Sequence, residues 1–194
     1  MFEALNSRGG LAAGPVLTRR DWFRILALLP AAGLALGRPP DAEEAFATGK
    51  PSPPLQVTTL DGQVLQIDKQ AGKIVLVDFM TTTCPTCKKA AAGIQQLYRE
   101  FGSKGFLPVA LAIDPQAANV LPIYRNLYEL TFPVAVVARD DVIRYLAHPA
   151  NKPMLVPTLV LLDKRGRIVS KKVGWTDDQE LRSAIAGLLN EKKK

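Results

Sequence analysis

The chain has two cysteines, and they stand three positions apart in Cys84-Pro85-Thr86-Cys87. A disulfide closing so short a loop removes little entropy from the unfolded chain, so as a structural staple it would contribute little. The spacing points to chemistry instead. If a helix begins at the pair, Cys84 occupies its N-terminus, where unpaired amide hydrogens and the helix dipole favour a thiolate. Cys87 then follows one turn later on the same face. Cys84 would be the attacking sulfur, and Cys87 would resolve the mixed disulfide. Pro85 suits the first turn, because its missing N–H needs no partner there. Lys88 and Lys89 add positive charge, which solvent screens.

Other uses of a Cys-x-x-Cys pair find few supporting residues. A tetrahedral zinc site needs two further ligands, and His148 is the single histidine of the chain. Haem attachment requires histidine directly after the second cysteine, and residue 88 is lysine. His148 itself sits beside Pro149 in a stretch that leads towards Pro157. It is either a solvated loop residue or, if the fold carries it to the cysteines, a third ligand for Cu(I).

The elements around the pair read as alternating strands and helices. Ile74-Val75-Leu76-Val77-Asp78-Phe79-Met80 is a nearly continuous apolar run, as expected of a strand covered on both faces. Ile94, Leu97, Tyr98 and Phe101 recur at helical spacing after the cysteines, and Gly102 follows as a stop. Residues 106–113 form a second buried strand, 120–130 a helix, 134–137 a short strand and 140–147 another helix. Residues 158–162 and 168–174 flank a turn at Lys164-Arg165-Gly166-Arg167. Thr176-Asp177-Asp178-Gln179 opens a last helix as a capping box, with Leu181, Ile185, Leu188 and Leu189 on one face. Upstream, residues 55–59 and 64–68 flank Asp61-Gly62, a hairpin signal. The predicted fold class is α/β, with a mixed central sheet between helices.

At the N-terminus, Thr18-Arg19-Arg20-Asp21-Trp22-Phe23-Arg24 precedes an apolar stretch over residues 25–37 that is short for a membrane span. Residues 1–37 are therefore expected to be an export signal or membrane anchor, and the arginine pair resembles a twin-arginine signal. Residues 38–54, with five prolines, read as an extended linker, 55–190 as the folded domain and 191–194 as a basic tail. The formal charge of +7 is spread along the chain. No basic run interleaved with aromatics is present, so a nucleic-acid partner is not expected.

Val77-Asp78-Phe79, then Cys84-Pro85-Thr86-Cys87, then Val156-Pro157-Thr158 resemble the thioredoxin superfamily. The segment from Pro157 to Gly166 and the exported context narrow the resemblance to the TlpA/ResA branch of extracytoplasmic thiol-disulfide oxidoreductases, over residues 53–189. The resemblance implies a thioredoxin fold with an N-terminal β-hairpin and an inserted helix, and a cis peptide bond at Pro157 lying against the cysteines. It implies a substrate-binding rim of Val156, Pro157, Thr83, Pro85 and Thr86, and a role for Asp78 as general base for Cys87. A buried carboxylate in mid-strand is costly unless something uses it. No cofactor or metal is implied beyond the redox-active Cys84–Cys87 disulfide. The expected partners are proteins carrying disulfides or thiols and a membrane electron donor, with the chain itself a monomer.

Two positions depart from the branch. Thr83 stands where many of its members have tryptophan, and Ala90 where they have an acid. The leading expectation is a disulfide reductase; whether the pair reduces or oxidises depends on a potential that sequence does not fix. A copper chaperone resembling the SCO proteins is an alternative, although those space their cysteines by three residues. A thiol peroxidase is another, but Val77 replaces the proline of that motif and leaves only Thr81.

Overall fold

The computed structural model describes residues 48–175 and 178–191. The expected export signal, the start of the proline-rich segment, Thr176 and Asp177 of the capping box, and residues 192–194 lie outside them. Strands β1 (Gln56–Thr58) and β2 (Val64–Gln66) are followed by β3 (Ile74–Met80), α1 (Pro85–Phe101), β4 (Phe106–Ala112) and α2 (Ala117–Leu127). Then come β5 (Val134–Val136), α3 (Arg139–Leu146), β6 (Thr158–Leu162), β7 (Ile168–Val173) and α4 (Asp178–Asn190).

The main sheet has the order β5-β4-β3-β6-β7. β3 pairs in parallel with β4 and antiparallel with β6, so it lies at the centre of a mixed sheet. Its seven residues are all buried because successive side chains enter two different cores. Val75, Val77 and Phe79 pack with Leu55, Val57 and Ile67, and with Val142, Tyr145 and Leu146 of α3. Ile74, Leu76 and Met80 pack with Ile94 and Leu97 of α1, Tyr124 of α2 and Ile185 of α4. This is the expected α/β architecture. The expected hairpin is also present: β1 and β2 pair antiparallel around Gly62, whose φ of +76° a residue with a side chain rarely adopts. Between β4 and β6 the chain carries both α2 and α3, with β5 between them, and the additional helix lies here.

Two boundaries differ from the sequence reading. The helix expected over 120–130 starts at Ala117, one turn after Asp114, whose carbonyl accepts the Ala117 amide. It ends at Leu127 because Glu129 takes a left-handed φ of +49°, and the Leu130 amide folds back to Arg125. The second difference is the linker, expected to run to residue 54. From Gly49 onward it belongs to the fold. The Gly49 and Ser52 amides donate to Ile168 and Gly166, Lys50 accepts from Ile168, and Ser52 Oγ meets the Tyr145 hydroxyl at 2.9 Å. The residues between the prolines supply the donors that the prolines lack.

α1 and α4 meet where Gly93 faces Trp175. A Cβ on Gly93 would overlap the indole, so the glycine is what lets the ring lie against α1. Trp175 is a packing residue, set against the core beneath α1.

Candidate functional site

β3 ends at Met80, and three threonines turn the chain into α1. The turn is fixed from outside: Asp114, just beyond β4, accepts the Thr82 amide and the Thr82 hydroxyl, each at 2.8 Å. The Cys84 amide then closes on Thr81. Cys84 adopts an extended backbone (φ −71°, ψ 119°) as the N-cap of α1, and Pro85 follows as the first helical residue. In place of the usual oxygen cap, the Cys84 sulfur accepts the Cys87 amide at 3.1 Å.

Cys84 and Cys87 form a disulfide with their Cα atoms 5.2 Å apart. They differ in accessibility: Cys87 is fully buried and Cys84 half-buried. Only the Cys84 sulfur is therefore open to attack from outside, and it alone receives the amide that stabilises negative charge.

The Val156–Pro157 peptide bond is cis. The Val156 carbonyl oxygen lies 3.8 Å from Cys84 Sγ, so the loop before β6 sits against the cysteine pair. The Pro157 carbonyl accepts the Gly174 amide at 2.7 Å, and Thr158 Oγ1 donates to Leu155 at 2.6 Å, which secures this loop at both ends. Thr83, Pro85 and Thr86 are exposed around the sulfur, and Leu155 is 62% exposed beside Val156. An extended polypeptide can reach the sulfur along this rim.

Asp78 is 2% exposed, and its Oδ1 has no hydrogen-bond partner. It pairs across β3 with Ala110 and Leu159. By strand alternation its side chain shares the face of Leu76 and Met80, which α1 covers through Cys87, Ala90 and Ala91. Burial raises its carboxyl from 3.8 to about 7. A carboxyl poised near neutrality on the face that carries Cys87 is suited to taking or giving that cysteine's proton.

His148 follows α3, with its amide bonded to Ile143 and its Nε2 buried without a partner. Among the described residues, no three His, Cys, Asp or Glu side chains come together in a group able to hold a metal ion. His148 is thus not assembled with the cysteines into the Cu(I) arrangement that sequence left open.

Asp114 and Tyr124 were not anticipated. Tyr124 donates its hydroxyl to the Cys87 carbonyl at 3.2 Å. Neither residue carries a signal of its role in the sequence, since both reach the motif only through the packing of α2 and the end of β4.

Comparison with known proteins agrees with this geometry. The Redoxin family model matches residues 47–188. The thiol-disulfide oxidoreductase ResA of Bacillus cereus is 31% identical over 140 residues, which cover 72% of this chain and 77% of that protein. The thioredoxin-like protein YneN of Bacillus subtilis is 24% identical over 144 residues, 74% of this chain and 81% of that protein. Among solved structures, a thioredoxin-family thiol:disulfide interchange protein from Chlorobium tepidum superimposes with a TM-score of 0.65 at 22% identity. That match covers 74% of this chain and 99% of the other. The thioredoxin domain of a thiol-disulfide oxidoreductase from Bacteroides vulgatus gives 0.63 at 24% identity, with the same coverage.

Proposed function

Because this chain belongs to the redoxin family, in the TlpA/ResA-like part of the thioredoxin superfamily, we propose that its thiol-disulfide oxidoreductase activity is reductive and acts on disulfides of other proteins outside the cytoplasm. The observation that carries this reading is the asymmetry of the pair: an accessible, amide-capped Cys84 joined to a fully buried Cys87.

In the dithiol form, the Cys84 thiolate attacks one sulfur of a substrate disulfide. The Cys84–substrate bond forms, the substrate S–S bond breaks, and the departing thiolate takes a proton from water. Cys87 then gives its proton to Asp78 and attacks Cys84, which releases the second substrate thiolate. Two electrons have passed to the substrate, and the Cys84–Cys87 disulfide remains. Val156, Pro157, Thr83, Pro85 and Thr86 hold the substrate chain during the exchange. A membrane electron donor returns the pair to the dithiol.

The arginine pair and apolar stretch within residues 1–37 favour export. Among the described residues, no helix is long and apolar enough to cross a membrane. The Pro85-Thr86 spacer resembles that of some thioredoxin-like proteins of cytochrome c maturation but by itself assigns no pathway, and we take the protein to act as a monomer. A Cys87→Ala variant tests the reading directly. It should accumulate mixed disulfides between Cys84 and other proteins, separable on a non-reducing gel. Wild-type protein should reduce insulin with thiol as donor. Failure of both would remove the proposed function.

A further inference from the structure

Tyr124 belongs to α2, which contributes nothing to the cysteine motif. Its hydroxyl nevertheless bonds the main-chain carbonyl of Cys87, across 37 positions of sequence and within the core. Tyr124 is 3% exposed, and its ring lies with Met80, Cys87, Ala90 and Ala91 in the layer that covers the Asp78 face of β3. Tyr128 packs against it at a tilt, with ring centroids 4.6 Å apart and ring planes 47° from parallel.

The surroundings of Asp78 are otherwise apolar. α1 brings Cys87 over it, and the neighbouring strands bring Ala110 and Leu159. α4 closes the layer with Ile185. Lys88 and Lys89 follow Cys87 on α1, one half-buried and the other exposed. Burial is the whole cause of the raised Asp78 carboxyl. Tyr124 is also raised, first by burial, then by the charge of Asp78 and by Tyr128.

We propose that Tyr124 is a positioning residue for the resolving step: its hydroxyl holds the Cys87 turn of α1 over Asp78, while its ring keeps water from the carboxyl. The proposal rests on the reading of Asp78 as the acceptor of the Cys87 proton. In that step the Cys87 proton passes to Asp78, a Cys87–Cys84 bond forms, and the bond from Cys84 to its partner breaks to release a thiolate. Without the Tyr124 hydrogen bond the Cys87 turn is free to move away from the carboxyl, and the proton transfer slows.

The test uses reduced protein and 5,5′-dithiobis(2-nitrobenzoate). The first coloured thiolate leaves as Cys84 attacks, in a step that depends on reagent concentration; the second leaves as Cys87 resolves the adduct, in a step that does not. Tyr124→Phe keeps the ring and loses the hydroxyl. It should slow the second phase about fivefold at neutral pH, the loss expected of one buried hydrogen bond, while the first phase is unchanged. In an Asp78→Asn background the same substitution should slow the second phase no further. If Asp78→Asn leaves the wild-type pH profile of the second phase intact, the reading of Asp78 fails and takes the proposal with it. If Asp78→Asn flattens the profile but Tyr124→Phe leaves the rate of the second phase unchanged, the role of Tyr124 alone is overturned. Equal slowing of both phases by Tyr124→Phe would mark general loosening and also overturn it.

Discussion

The Cys87 amide points at the Cys84 sulfur across 3.1 Å, so the residue proposed to resolve the mixed disulfide also caps the residue proposed to form it. One backbone hydrogen bond thereby links the two halves of the exchange. It stabilises negative charge on Cys84 and on no other sulfur, because Cys87 is the buried member of the pair.

This cap depends on the turn before it, and the turn depends on Asp114. Asp114→Ala removes both bonds to Thr82, whereas Thr82→Val keeps the shape of the side chain and removes one. The alanine variant should lose about 1–3 kcal/mol of stability through the unpaired Thr82 groups, and the valine variant less. Urea unfolding measures the loss. Alkylation of Cys84 in the reduced proteins should slow in the same order; unchanged alkylation would show that the turn holds itself.

Asp78 gives the oxidised protein a pH-dependent weakness. Its carboxyl is raised by burial, so the protonated form is the one that suits the fold. The stability it permits is fully present below about pH 4, declines as the unfolded chain ionises, and is lost once pH passes the folded value of about 7. Three pKa units correspond to roughly 4 kcal/mol as an upper bound. Asp78→Asn should therefore unfold at higher denaturant than wild type at pH 8.5, with the advantage shrinking towards pH 4. An advantage independent of pH would contradict the burial of an ionisable carboxyl at this position. The same variant should resolve mixed disulfides slowly, trading function for stability.

Gly93 should not tolerate a side chain. A Cβ there would lie 2.7 Å from Asp178 Oδ1 and 3.0 Å from Cη2 of Trp175. Alanine favours helix by about 1 kcal/mol over glycine, but forced repacking of a trapped indole costs about 1–3 kcal/mol. Gly93→Ala should lower the unfolding midpoint and shift the Trp175 emission. A rise in the midpoint would mean that the ring moves aside freely.

Much of this arrangement was legible in the sequence because its signals are local. The apolar run from Ile74 to Met80 read as a covered strand, and Pro85 behind Cys84 suited the first turn of a helix beginning at the pair. Asp78 stood out because a charge within such a run has no ordinary place. Asp114 and Tyr124 were not legible. An aspartate after a strand and a tyrosine in an amphipathic helix are ordinary at those positions, and only tertiary packing brings them to Thr82 and Cys87. The proline-rich segment misled for a related reason. Its composition favours an extended chain, and an extended chain can equally pair with the turn leading into β7, where Gly49, Lys50 and Ser52 find partners at Ile168 and Gly166.

The most direct test is the pH dependence of iodoacetamide alkylation in the reduced, folded protein, with the modified cysteine located by mass spectrometry. Cys84 should react alone, and its reaction should begin at a lower pH than that of a free cysteine thiol, while Cys87 stays unmodified until the protein is unfolded. Equal modification of both cysteines, or a Cys84 that titrates like a free thiol, would contradict the capped and accessible sulfur on which the redox function depends.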